Sequence, residues 1–194
     1  MRLTKEQVLT YFNDALTLFE SEIQEIPNGV VLHWMDFETF KEGLLENPIY
    51  KTLNEKGLFD FETRFDFPSF AVVFPSNKHR LRALMEIPFQ INVCWEYLEG
   101  TLARMNVKQG KLYLKAVFLH ELVHLVEDDL ICQNNDLWEE CLVEARGSES
   151  LAKEVLAERL PEFLLGDKAM KATDEAWKPV HRAIQVSQLN QKRA

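Results

Sequence analysis

Apolar residues recur at three- and four-residue spacing near the start of the chain. Between Thr4 and about Ile26 they form one continuous stripe, which Pro27 and Gly29 follow directly. This spacing places the apolar side chains on one face of an α-helix, and proline and glycine end such a helix. The sequence therefore predicts an N-terminal amphipathic helix, within residues 1–27, that buries one face.

Residues 28–110 follow a less regular pattern, with prolines at positions 48, 68, 75 and 88. The apolar run of residues 70–74 lies between two of these prolines, as is typical of a short strand. A helix is predicted from Val93 to Met105, and Gly110 is expected to separate it from the next helix. We therefore expect a small mixed region that contributes the β-structure of the fold.

The remaining part of the chain has helical periodicity almost throughout. One stripe runs from about Lys111 to Leu130 without glycine or proline, and another from Leu137 to about Leu160. These patterns assign the chain to the α+β class, mainly α-helical, as a single domain. Its predicted parts are an N-terminal helix (1–27), a small mixed region (28–110), a helical hairpin (111–160) and a C-terminal helical segment (161–194).

Charge and composition narrow the range of partners. The chain carries 31 acidic and 22 basic residues, a formal net charge of −9, which repels phosphate backbones and anionic lipid. We therefore expect no nucleic-acid partner and no membrane association. The three cysteines form no CxxC pair, and the first ten residues lack the apolar core of a secretion signal. A cytoplasmic protein with reduced thiols is predicted.

The candidate chemistry lies in the helix predicted from about Lys111 to Leu130. Its sequence His-Glu-Leu-Val-His places the imidazoles of His120 and His124 one helical turn apart on the same side, where both can bind one zinc ion. Glu121 is rotated away from them and can reach a water at the metal instead. We therefore predict that the two histidines bind zinc and that Glu121 is the general base. In the alternative interpretation, both histidines are buried and satisfied by ordinary hydrogen bonds.

The residues that flank this motif are uncharged, as a buried metal-binding helix requires. The segment from Val117 to Val126 resembles the extended signature of the zincin metallopeptidases, and the resemblance covers about residues 111–156. It implies a zinc metallopeptidase with a peptide or protein substrate. It also implies that the metal-binding helix packs against a second helix, which supplies a glutamate ligand.

A zinc site of this kind has three protein ligands and one position for water. Leu130 stands where the metzincin pattern has its third histidine, so the resemblance points to the gluzincins, whose third ligand is a glutamate. Glu144 lies twenty residues after His124, which resembles the interval in thermolysin-like gluzincins and makes it the preferred ligand. Gly147 would let the two helices approach closely. In the alternative register, Glu140 binds the metal and Glu144 orients a histidine.

Two further interpretations concern the surroundings of the site. Peptidases of this type provide a donor to the oxyanion that forms during attack on the carbonyl, and His181 is the first candidate. The other candidates are Tyr113, Tyr97, Arg146 and Arg182. The acidic run at residues 127–129 is interpreted as the solvated end of the metal-binding helix. In the alternative, Asp128 accepts a hydrogen bond from a ligand histidine.

Three functions follow from these observations. The preferred one is zinc-dependent hydrolysis of peptide bonds by a metal-activated water. The second is a non-catalytic zincin-like protein that binds metal, and the third is a regulatory module in which the histidines are only structural. Glu121 favours the first, because a protein without catalytic activity would be free to lose this carboxylate.

Overall fold

The computed structural model of the protein describes residues 2–45, 51, 54–55 and 88–166. Six helices and two strands are delimited in this part of the chain: α1 (Lys5–Glu22), β1 (Val30–Met35), α2 (Phe37–Leu45), β2 (Phe89–Cys94), α3 (Trp95–Ala103), α4 (Val107–Gln133), α5 (Asn135–Glu144) and α6 (Glu149–Leu165). The predicted α+β class, mainly α-helical, is confirmed. None of the described helices is both long and apolar enough to cross a membrane. The strand predicted at residues 70–74 and the C-terminal segment from residue 167, which includes His181, lie outside the described residues.

Helix α1 buries the face that its apolar pattern predicts. Its buried residues share the three- to four-residue spacing of one helical stripe and are Val8, Phe12, Ala15 and Phe19. The ring of Phe12 packs edge-on against that of Phe118 in α4, with 5.2 Å between the centroids. Thr4 caps the helix reciprocally with Gln7, which satisfies backbone donors at its start. Helix α1 is therefore an integral part of the hydrophobic core.

Strands β1 and β2 form a small parallel sheet. Val30 pairs with Phe89 at one end of the register and Met35 with Cys94 at the other. Ile91 of β2 is fully buried and belongs to the same core as the inner faces of α1 and α4. The small β region therefore lies upstream of α4 in the chain, as expected, and contributes to a common core.

Helix α4 is the central element of this core. It is 27 residues long, and Asn106 caps it reciprocally with Gln109. The predicted break at Gly110 is wrong, because this cap starts the helix before the glycine, which is buried within it. Nearly every residue between Tyr113 and Val126 is buried, as is characteristic of a helix covered on several sides.

The single helix predicted from Leu137 to Leu160 is in fact two helices, α5 and α6. The Gly147 amide donates to the Leu142 carbonyl and the Arg146 amide to that of Val143, the hydrogen-bond pattern of a Schellman motif. Gly147 has a φ of +78°, and a Cβ there would meet no atom within 4 Å. Gly147 therefore ends a helix, and it does not mediate the close helix contact that we expected. Ser148 caps α6 immediately afterwards.

Candidate metal centre

Helix α4 brings two imidazole rings together in the core. His120 and His124 lie one turn apart, and their Nε2 atoms are 3.1 Å from each other. The rings are nearly perpendicular, with 4.8 Å between their centroids. The side chain of His120 is 5% exposed and that of His124 15%, so both face a protected space between helices.

Helix α6 brings a carboxylate to this pair. Glu154 Oε2 lies 3.5 Å from His120 Nε2 and 3.7 Å from His124 Nε2. One nitrogen of each histidine and one oxygen of Glu154 all lie within 4.8 Å of one another, and among the described residues this is the cluster that could hold a metal ion. Side-chain exposure of 35% at Glu154 indicates that the cluster is open towards solvent on the α6 side.

The three atoms fit the ligand spacing of a tetrahedral metal ion. Zinc–ligand bonds of about 2.0 to 2.2 Å require neighbouring ligand atoms to be about 3.3 to 3.6 Å apart in a tetrahedron. The observed separations of 3.1, 3.5 and 3.7 Å bracket this range. The donor set, two imidazole nitrogens and a carboxylate oxygen, is one that zinc accepts in catalytic sites. The residues therefore fit a divalent metal with one position left for a water.

Glu127 holds the other edge of the His124 ring. Its Oε2 lies 2.9 Å from His124 Nδ1, and its Oε1 accepts a hydrogen bond from Lys153 Nζ at 2.5 Å. A histidine that donates its Nδ1 hydrogen to a carboxylate presents the Nε2 lone pair on the opposite side. Glu127 therefore selects the ring orientation in which Nε2 faces Glu154.

The charges of this cluster shift the affinities of its groups for protons. Burial would lower the pKa of His124, but the contacts with Glu154 and Glu127 raise it well above its ordinary value. Burial would likewise raise the pKa of Glu154, but the two histidines hold it well below its ordinary value. Both directions have the same cause, the attraction between the Glu154 carboxylate and the protonated form of the His124 imidazole.

Glu121, the residue after His120, is a buried carboxylate on the same helix. Only 3% of this residue is exposed, and within the described part of the chain no hydrogen bond engages its carboxylate. Burial raises its pKa well above the ordinary value, with Glu154 adding to the rise and His124 opposing it. The charges of Glu154 and His124 therefore act on this carboxylate, which has no hydrogen bond within the described residues.

Glu144 and Glu140 lie elsewhere, on the outer face of α5. Both accept hydrogen bonds of 2.8 Å from Arg159 of α6, and their side chains are 57% and 67% exposed. The structure therefore brings Glu154, and not Glu144 or Glu140, to the histidines. The reason is the turn after α5, since a helix that ends at Glu144 lets α6 run back along α4 and present its own glutamate.

Sequence reasoning missed two residues of the site, Glu154 and Glu127. Glu127 is only 13% exposed and pairs inward, so the interpretation of residues 127–129 as a solvated helix end is wrong for this residue. The signal for Glu154 was present in Gly147 and Ser148, because a glycine followed by a serine is a stop signal and a start signal for successive helices. Placing a helix end there makes α6 a candidate for the ligand-bearing helix.

The candidates for an oxyanion donor are placed as follows. His181 and Arg182 are outside the described residues, so their role stays a prediction. Tyr113 and Tyr97 are 1% and 5% exposed and belong to the packed core. Arg146 has a φ of +54° and forms the turn between α5 and α6.

No family model matches the chain, and comparisons with curated proteins and with solved structures give no significant match.

Proposed function

We propose that this protein is a zinc-dependent metallohydrolase that cleaves peptide bonds, with His120, His124 and Glu154 as metal ligands and Glu121 as the general base. The observation that carries the proposal is the approach of Glu154 to both histidines at ligand spacing. Glu154 comes from a helix more than twenty residues further along the chain. Two spaced histidines occur by chance more readily than their meeting with a carboxylate from another helix at this distance.

The proposed roles follow from what each side chain is free to do. When bound, zinc lowers the pKa of a coordinated water to about 7 and polarises a carbonyl group. Glu121 would accept a proton from a water that attacks the carbonyl carbon and would pass it to the departing amine nitrogen. Its burial and lack of hydrogen-bonded partners in the described residues support this role, because a carboxylate already held in an ion pair would be a weaker base.

The choice of peptide bonds as the substrate rests on the zincin-like signature between Val117 and Val126. The surroundings of the motif support a buried catalytic helix, since Leu119, Leu122 and Val123 are fully buried. A protected site strengthens electrostatic interactions with a reacting carbonyl. A non-catalytic metal-binding protein is the second candidate, and Glu121 is the residue that distinguishes the two.

The test is the substitution Glu121→Gln, which keeps the size of the side chain and removes the proton acceptor. We expect peptide hydrolysis to fall by about 10²- to 10⁴-fold. Zinc content and melting temperature should stay close to those of the wild type, because Glu121 is not a ligand. Hydrolysis is measured on a mixed peptide library by mass spectrometry and metal content by elemental analysis after dialysis.

Glu139→Gln is the matched control, since it makes the same chemical change at an exposed position of α5 and should leave hydrolysis unchanged. Equal activity in Glu121→Gln and wild type would contradict the base assignment. A wild-type protein that binds zinc and cleaves no peptide in the library would favour the non-catalytic metal-binding function. Less than about a tenth of an equivalent of zinc, with no uptake on addition, would remove the metal site altogether.

A further inference from the structure

Two consecutive residues of helix α6, Lys153 and Glu154, act on opposite edges of the His124 ring. On the Nε2 side, Glu154 Oε2 lies 3.7 Å away. On the Nδ1 side, Lys153 acts through Glu127, whose two oxygens contact Lys153 Nζ at 2.5 Å and His124 Nδ1 at 2.9 Å. One turn of α6 therefore sets both the ligand carboxylate and the orientation of the imidazole.

The contact with Lys153 uses the oxygen of Glu127 that the histidine leaves unused. With only one oxygen engaged, this carboxylate could rotate about its side-chain bonds and lose the bond to His124 Nδ1. With both oxygens engaged, by groups on two different helices, it has one orientation. Lys153 also contacts Asp128 Oδ1 at 3.2 Å, which holds its ammonium group over this part of α4.

We propose that Lys153 is a positioning residue of the metal centre: it locks Glu127 against His124 and thereby raises the affinity of the site for a divalent metal. The inference rests on the proposed metal site. The ion pair between Lys153 and Glu127 differs from an ordinary surface ion pair, which contributes little to stability. Glu127 is only 13% exposed, and its other oxygen contacts His124, a proposed ligand.

The experiment compares the zinc affinity of the wild type with that of Lys153→Met, by competition with a chelator of known affinity. The methionine keeps the length of the side chain and removes the ammonium group. We expect an affinity loss on the order of tenfold, the lower end of the range for residues that orient metal ligands. Lys153→Arg, which restores a donor to Glu127, should recover most of this loss.

The matched control is Arg159→Met, on the same helix, which removes a cation paired with Glu140 and Glu144 on the outer face. It should leave zinc affinity unchanged. A double-mutant cycle with Glu127→Gln shows whether Lys153 acts through Glu127. If it does, Lys153→Met should cause little further loss of zinc affinity in the Glu127→Gln variant. The Nδ1 proton of His124, followed by NMR without metal, should exchange slowly in the wild type and rapidly in Lys153→Met.

Each outcome decides a different question. Zinc affinity that is equal in wild type and Lys153→Met would overturn this inference and leave the metal site intact. An equal loss in Lys153→Met and Arg159→Met would also overturn it, because α6 would then act only through general packing. Absence of zinc uptake by the wild type would overturn the proposed function and, with it, the role of Lys153.

Discussion

Glu154 is the residue whose side chain joins two helices at the candidate site. It lies on α6, is 35% exposed, and directs one oxygen towards the two Nε2 atoms of α4. In the proposed site, a carboxylate in this position would complete a set of three ligands and balance part of the charge of the metal. Its contribution to metal binding should therefore exceed that of the glutamates of α5.

We predict that Glu154→Gln lowers zinc affinity by more than the 10- to 100-fold loss, roughly, that is typical of residues behind the ligands. Glu144→Gln and Glu140→Gln should leave the affinity unchanged, because both side chains pair with Arg159. Isothermal titration or chelator competition measures all three. A larger loss in Glu144→Gln than in Glu154→Gln would return the ligand role to α5.

The three cysteines differ in exposure, which predicts their reactivity. Cys94 and Cys141 are buried and Cys132 is exposed, and all three are free thiols. Burial raises the pKa of Cys94 to about 11, and Glu96 contributes to the rise. The thiolate is the reactive form, so this thiol becomes reactive only as the pH rises towards that value.

We expect a thiol reagent to modify Cys132 rapidly in the folded protein at pH 8, and Cys94 and Cys141 only after unfolding. Absorbance of the released chromophore counts the reactive thiols, one in the native state and three in denaturant. Cys132→Ser should abolish the fast phase. A fast phase that persists in this variant would place one of the buried cysteines at the surface.

At the level of whole elements, α1 and the turn between α5 and α6 position the site. Helix α1 supports α4 from the side of Phe118, and the turn at residues 145–148 reverses the chain so that α6 packs along α4. Ala157, one turn beyond Glu154, is fully buried, and its small side chain permits a close approach to the core. The meeting of His120, His124 and Glu154 therefore depends on packing well away from these three side chains.

Phe12→Ala should lower the free energy of unfolding by about 3 to 5 kcal/mol, because it leaves a cavity against Phe118. Leu9→Ala, at a position of α1 that is 42% exposed, should change it by less than about 1 kcal/mol. Urea denaturation followed by circular dichroism measures both. Similar stability for the two variants would mean that α1 does not form part of the core.

For the molecule as a whole, a metal held by α4 and α6, as proposed, would couple metal binding to folding. Ligands from two helices come together only in the native state, so the metal stabilises that state by mass action. Zinc at about 100 times its dissociation constant should add about 2.7 kcal/mol to the free energy of unfolding. The melting temperature should rise with zinc and fall again with a chelator.

Glu154→Gln is the comparison for this measurement, since it should show a much smaller rise at the same zinc concentration. A zinc-dependent rise of equal size in the variant would indicate that the metal binds elsewhere. A melting temperature that zinc does not change in the wild type would show that the three residues do not hold the ion in the folded protein.

Features set within one helix were predictable from the sequence. The apolar stripe of α1, the mainly helical class and the meeting of His120 with His124 all depend on a repeat of 3.6 residues, which the chain obeys wherever it is helical. The start of α4 was less predictable. Gly110 disfavours a helix by itself, yet the cap at Asn106 and the burial of this helix outweigh that preference.

Which carboxylate lies beside the two histidines was decided only by the tertiary structure. The resemblance to the gluzincin interval favoured Glu144. The distance from a histidine of α4 to a glutamate of a later helix, however, depends on where the intervening turn falls and how the helices pack. The hydrogen bonds that end α5 at the Arg146–Gly147 turn leave Glu144 facing Arg159 and bring Glu154 to within 3.5 Å of His120. Local residue patterns thus determined the meeting of the two histidines, whereas the carboxylate beside them was selected by contacts between distant parts of the chain.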